Sequence, residues 1–252
     1  MESNIKIKNK FGEELDVLVE GNGDSNTTIV FVHGFGTDKN EAFNYFSDLA
    51  LSLKNRFRLV RFDFSGYGKS GGKQEDTNYQ KQAGDLGSVL EYVKVNFRGK
   101  VFILAHSMGS FVTSCLSPTG VERTVFSGIP NSNTRYIVER LKGRIASREG
   151  AFVDTEGITT YPRTFGPVQK IGPSFWKALL AFNPVEAVRE YSKKTNLLII
   201  HFNQDDVVGN EYMNEYSTIS NVNIESLDGN HSVTRNEDRA TVIKTIKEFF
   251  TS

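Results

Sequence analysis

Cysteine is almost missing from this chain: Cys115 is the only one in 252 residues. No internal disulfide and no thiolate metal cluster can form, which fits a reducing compartment. Excess charge of one sign is also missing. Thirty Lys and Arg balance thirty Asp and Glu, for a formal charge of zero, so no global field draws nucleic acid or an anionic membrane. Long apolar runs are absent too. The stretches at residues 28–32 and 197–200 fall far below the roughly 18 residues of a membrane span, and the polar N-terminus has no signal-peptide core. A cytoplasmic protein is expected. Only four histidines are present, and no two stand at i, i+4, so helical zinc motifs are excluded. Asp205 and Asp206 make a poor cation site, because neighbours on an extended chain point apart. No metal and no prosthetic group is expected.

The chain does contain the makings of one large α/β domain. Hydrophobic residues make up 38%, and there are 22 glycines, enough for a substantial core. Short β-type runs at residues 28–33, 58–64, 101–106, 122–126 and 197–202 are nearly all apolar, as in strands covered on both faces of a parallel sheet. Helical stripes lie between them: Phe43, Phe46, Leu49, Ala50 and Leu53; Leu86, Val89, Leu90, Val93 and Phe97; and Val242, Ile243, Ile246, Phe249 and Phe250. The expected fold is α/β, a mostly parallel central sheet with helices on both faces. Ile5 and Ile7, then Leu15, Val17 and Val19, alternate with polar neighbours as an antiparallel edge hairpin does. Five of the six prolines and the only tryptophan, Trp176, fall within residues 130–184. No buried strand is evident there, so residues 131–184 are read as an inserted cap on a core of residues 1–130 and 185–252.

The third apolar run ends in Ala105-His106-Ser107-Met108-Gly109 and passes into a helix-compatible pattern. Strand, tight turn and helix with serine at the apex is the layout of a nucleophile elbow, whose positions two before and two after must be small. Ala105 and Gly109 meet that demand, although glycine is usual at both. His33-Gly34-Phe35-Gly36 follows the first central run, where a turn can aim backbone N–H groups at the serine. The amides of Phe35 and Met108 are the expected oxyanion hole. Gly66-Tyr67-Gly68-Lys69-Ser70-Gly71 satisfies G-x-G-x-x-G, but helical periodicity begins too late for a dinucleotide site. As a phosphate loop it has Asp63 where the leading glycine belongs.

Taken together these motifs resemble the α/β-hydrolase superfamily of serine hydrolases, from His33-Gly34-Phe35-Gly36 through Asp63 to Ser70 and the elbow, then on to Asp205 and His231. The resemblance spans nearly the whole chain, and Ser, Asp, His is the order that superfamily uses. It implies that the base follows Ser107 in a loop. His106 is inside the elbow, His201 is in a strand run and His33 precedes the serine, which leaves His231. Asp205, just past the strand at residues 197–202, fits the family's Asp-x-x-Val habit, with Asp206 as the alternative acid. Among the branches it is similar to capped carboxylesterases, both feruloyl-esterase-like and monoacylglycerol-lipase-like. Tyr161, Phe165, Trp176 and Leu180 are the candidate substrate contacts, with packing inside the cap as their other reading. The implied activity is hydrolysis of a small-molecule ester through an acyl-enzyme. Thioesterase, C–C hydrolase or acyltransferase chemistry would use the same residues, and a ligand-binding protein with little turnover would need none of them. The sequence sets no oligomeric state.

Overall fold

The computed structural model describes residues 2–163 and 167–252. Strands β1 (Glu2–Lys8) and β2 (Glu14–Gly21) form the expected antiparallel edge hairpin. From β3 (Thr27–Val32) onward strands and helices alternate: α1 (Tyr45–Leu53), β4 (Arg58–Phe62), α2 (Tyr79–Asn96), β5 (Lys100–His106), α3 (Met108–Leu116) and β6 (Val121–Ser127). Next come α4 (Thr134–Ala146), β7 (Thr159–Tyr161), β8 (Gln169–Ile171), α5 (Pro173–Ala181) and α6 (Pro184–Ser192). The chain finishes with β9 (Asn196–Phe202), β10 (Val222–Leu227) and α7 (Asn236–Thr251). Eight strands make one sheet in the order β1-β2-β4-β3-β5-β6-β9-β10, parallel from β4 to β10.

Alternation along the buried strands divides the core into two layers. Ile29, Phe31, Leu104, Leu198 and Ile200 pack with α1 and α7, while Val30, Val32, Ile103, Ala105 and Ile199 pack on the opposite face with α2 and α3. Each fully buried large side chain contributes about 1.5–3 kcal/mol over its exposed state, which makes these two faces the main store of stability. No helix among the described residues is long and apolar enough to cross a membrane.

Parallel register brings the carboxyl ends of the central strands to one edge. Val32 lies beside Ala105, and His106 beside Ser127. Loops leaving that edge therefore converge, which is where open α/β sheets place their ligands.

Two local readings of the sequence differ from the structure. Phe43 does not join the α1 stripe; it sits in a short 3₁₀ turn with φ 53° and is 63% exposed. Between β6 and β9, where no buried strand was evident in the sequence, β7 and β8 pair as a three-residue antiparallel ladder. Neither strand reaches the main sheet, so the buried-strand pattern had nothing to mark. Pro173 and Pro184 occupy the first turns of α5 and α6, where the missing N–H costs nothing.

Candidate active site

Ser107 stands between β5 and α3 with φ 52° and ψ −127°, a conformation rarely taken by a residue bearing a side chain. Its amide donates to the Ser127 carbonyl at 2.9 Å, which ties the turn to β6. The steric demand of the elbow falls on Gly109. A Cβ there would lie 2.3 Å from the Val32 carbonyl oxygen and 2.8 Å from that of His33. Ala105 is fully buried and packs in the core layer under α3, so an alanine two positions before the serine is accommodated.

His231 comes from the loop between β10 and α7. It is held in a turn closed by the Val233 amide on the Asn230 carbonyl, and Val233 itself is fully buried at φ 47°. A β-branched residue in that region persists only where its surroundings over-determine it. The imidazole Nε2 lies 2.8 Å from Ser107 Oγ, and Nδ1 lies 2.7 Å from Asp205 Oδ2. Asp205 Oδ1 accepts from the amides of Val207 and Val208, both at 2.9 Å, which orients the carboxylate. Burial alone would raise the Asp205 pKa. The neighbouring His231 and the two backbone amides outweigh it and hold the carboxyl below its ordinary value. Asp206, the alternative acid, is exposed, and its carbonyl accepts from Arg140 Nη2.

The His33-Gly34-Phe35-Gly36 turn passes beside the serine, so a Cβ on Gly34 would lie 3.1 Å from Ser107 Cβ. The His33 ring braces this turn. Its Nε2 accepts from the Phe64 amide at 3.0 Å, which leaves Nδ1–H to donate to the Gly34 carbonyl at 2.8 Å. Glu41 was not singled out in the sequence. Its buried carboxylate accepts from the Gly34 amide at 2.6 Å, the Thr37 hydroxyl at 3.1 Å and the Ala42 amide at 3.0 Å. That clamp fixes the turn that carries the Phe35 amide. Neither the Phe35 nor the Met108 amide donates to a protein acceptor among the described residues. Asp63 is also structural, since it takes the Lys39 ammonium and the amides of Lys39 and Lys69. The glycine-rich segment after it is a turn, as its late helical onset implied.

Ser107 and His231 open into a cavity of about 290 Å³ that Phe35, Met108, Ile137, Leu141, Ile145 and Tyr161 help to line. Of the candidate substrate contacts, Tyr161 is on this wall. Trp176 and Leu180 are not; they border a separate depression with Val138 and Lys177. Helix α5 turns Phe175, Trp176 and Leu179 into the protein and leaves Leu180 49% exposed. Phe165 lies outside the described residues.

His106 packs against the His231 ring, with ring centroids 4.8 Å apart. Burial lowers its pKa from 6.5 to about 4, so it stays neutral at neutral pH. The unfolded chain binds this proton below pH 6.5, whereas the folded chain resists it until about pH 4. Stability is therefore full above pH 6.5 and declines between those values, by up to about 3 kcal/mol. Urea midpoints measured from pH 7 to 4 are expected to fall less steeply in His106→Asn than in the parent; parallel slopes would contradict this assignment.

A strained serine at a strand-to-helix turn, joined through histidine to aspartate on a parallel sheet, defines an α/β-hydrolase architecture. The chain belongs to the alpha/beta hydrolase family, whose model matches residues 29–242. Among solved structures it is similar to Est1E from Butyrivibrio proteoclasticus with ferulic acid bound, at 19% identity and a TM-score of 0.77 over 98% of both chains. It is also similar to the esterase domain of a Rhodothermus marinus protein, at 19% identity and TM-score 0.72, covering 98% of this chain and 97% of that one. A third is the Pyrococcus furiosus esterase Pf2001, at 20% identity and TM-score 0.72, covering 100% of this chain and 90% of that one. No curated protein sequence matches the chain.

Proposed function

We propose that the protein is a serine esterase that hydrolyses carboxylic esters through an acyl-enzyme, with residues 131–184 as a cap over the site. The observation that carries this reading is the continuous relay from Asp205 through His231 to Ser107, at 2.7 and 2.8 Å, opening on a cavity. Binding alone requires no such relay.

His231 Nε2 takes the Ser107 proton as Oγ bonds to the ester carbon. The resulting oxyanion is held by the Phe35 and Met108 amides, assisted by the N-terminus of α3. The ester C–O bond then breaks and the alcohol leaves with the proton from His231. Water, deprotonated by His231, adds to the acyl carbon and frees the acid and Ser107. Asp205 keeps the imidazole in the Nδ1–H tautomer and stabilises its charged form. The esterases of similar fold favour an ester over the other acyl substrates this chemistry admits.

The test is a series of 4-nitrophenyl esters from acetate to a long chain, together with a fluorophosphonate label. The expected result is nitrophenol release with a chain-length optimum, and a single adduct on the peptide containing Ser107. No turnover across the series, or a label on another residue, would overturn the reading.

A further inference from the structure

The cavity beside Ser107 is strongly cationic on one side, in a chain whose formal net charge is zero. Helix α4 and the residues just past it present Ile137, Arg140, Leu141, Arg144, Ile145 and Arg148 to the cavity, and Arg163 joins them from the segment after β7. Arg140 and Arg144 stand one turn apart on one face of α4, and Arg148 follows in the turn just past its end. None of these four arginines forms an ion pair with a carboxylate among the described residues.

Two of the four are held by neutral oxygens. Arg140 donates to the carbonyls of Val207 and Asp206 at 2.8 and 2.6 Å. Arg148 donates to the Pro162 carbonyl at 3.0 Å and sits 5.0 Å from the Tyr161 ring centroid. Arg140 also reaches the Tyr136 hydroxyl, which donates to Glu211, so that carboxylate counters it from a distance; neither Arg140 nor Arg148 is directly ion-paired among the described residues. Arg144 and Arg163 have no hydrogen-bond acceptor at all among the described residues. Burial lowers the Arg144 pKa, and the more distant carboxylates of Asp206 and Asp205 offset that only partly. The one acid among the described residues of the cavity wall, Glu41, is already occupied by the Gly34 and Ala42 amides and the Thr37 hydroxyl.

Unpaired charge in a half-apolar cavity is costly unless a counter-charge arrives. Guanidinium groups receive carboxylates and phosphates in paired hydrogen bonds. We propose that the ester cleaved at Ser107 carries a second, anionic group, a carboxylate or a phosphate, that is received by Arg144 and Arg163. This rests on the esterase reading and adds the substrate class: the free anion is read on the α4 side of the cavity while the carbonyl is attacked at Ser107. Arg140 and Arg148 supply the surrounding positive field.

The experiment compares matched esters. Mono-4-nitrophenyl adipate is set against its methyl-capped neutral form, and 3-carboxy-4-nitrophenyl acetate against its methyl ester, so that the anion is placed first on the acyl side and then on the leaving group. In at least one pair kcat/KM for the anionic member is expected to exceed that of its neutral partner by about tenfold, and added salt is expected to lower the ratio. The ratio is expected to collapse in Arg144→Gln/Arg163→Gln and to invert in Arg144→Glu. Equal or neutral-favouring ratios in both pairs, with nitrophenol still released, would overturn the anion site and leave the esterase intact. If no ester is turned over, calorimetry with adipate and with phenyl phosphate against dimethyl adipate decides. Saturable binding of either anion, lost in the double variant, retains the anion site and removes the esterase reading. No binding removes both. The stronger of the two anions distinguishes carboxylate from phosphate.

Discussion

Ser107→Ala is expected to lower kcat for a 4-nitrophenyl ester by on the order of 10⁶-fold, the loss that follows when the nucleophile of a coupled triad is removed. The size of the effect comes from the geometry. Among the described residues Ser107 Oγ is the one hydroxyl placed 2.8 Å from His231 Nε2, so no neighbouring group there inherits the attack. Some acceleration over water should survive, because the free amides at Phe35 and Met108 and the cavity wall are untouched. The fold should survive as well: alanine at φ 52° is no more strained than serine there, and the Ser107 amide keeps its bond to Ser127. The measurement is kcat for the purified variant, with circular dichroism to establish that it is folded. A folded variant that retains a tenth of parental turnover would exclude Ser107 as the nucleophile.

How far the sequence reaches into this site depends on whether a feature is local. The elbow could be read because its requirements are close in the chain: an apolar run, a serine, and small neighbours on either side. The structure explains the last of these through the approach of Gly109 to the Val32 and His33 carbonyls. The choice between Asp205 and Asp206 was not local. Adjacent side chains diverge, and only the packed loop determines that Asp205 turns inward to His231 while Asp206 stays exposed. Glu41 gave no signal because its role depends on a left-handed backbone, φ 61°, in a residue type that seldom adopts it. The pocket was the least readable part. Aromatic content drew attention to Trp176, yet α5 buries that face away from the serine. The arginines at 140, 144 and 148 were not singled out in the sequence, and their lack of a direct ion pair among the described residues emerges only when loops distant in sequence are assembled around them.

Asp205→Asn is expected to reduce kcat by roughly 10⁴-fold with the fold unchanged. Asparagine can keep its carbonyl oxygen toward the Val207 and Val208 amides, as Asp205 Oδ1 is now. Its NH₂ then faces His231 Nδ1 in place of Oδ2. An imidazole that must accept at Nδ1 carries its proton on Nε2, which is the nitrogen beside Ser107 Oγ. The base is then present and correctly placed but in the wrong tautomer, and the charge it develops on attack has lost its partner. Asp206→Asn provides the contrast. Its carboxylate is exposed, and turnover of a neutral ester should remain within about twofold of the parent, as for most surface changes. The check is kcat for both variants on one neutral ester, with fluorophosphonate labelling rates as a second readout of the serine. Equal losses in the two variants would show that position 205 has no special hold on the histidine, whereas a large loss at 205 alone ties the rate to the proton on Nδ1.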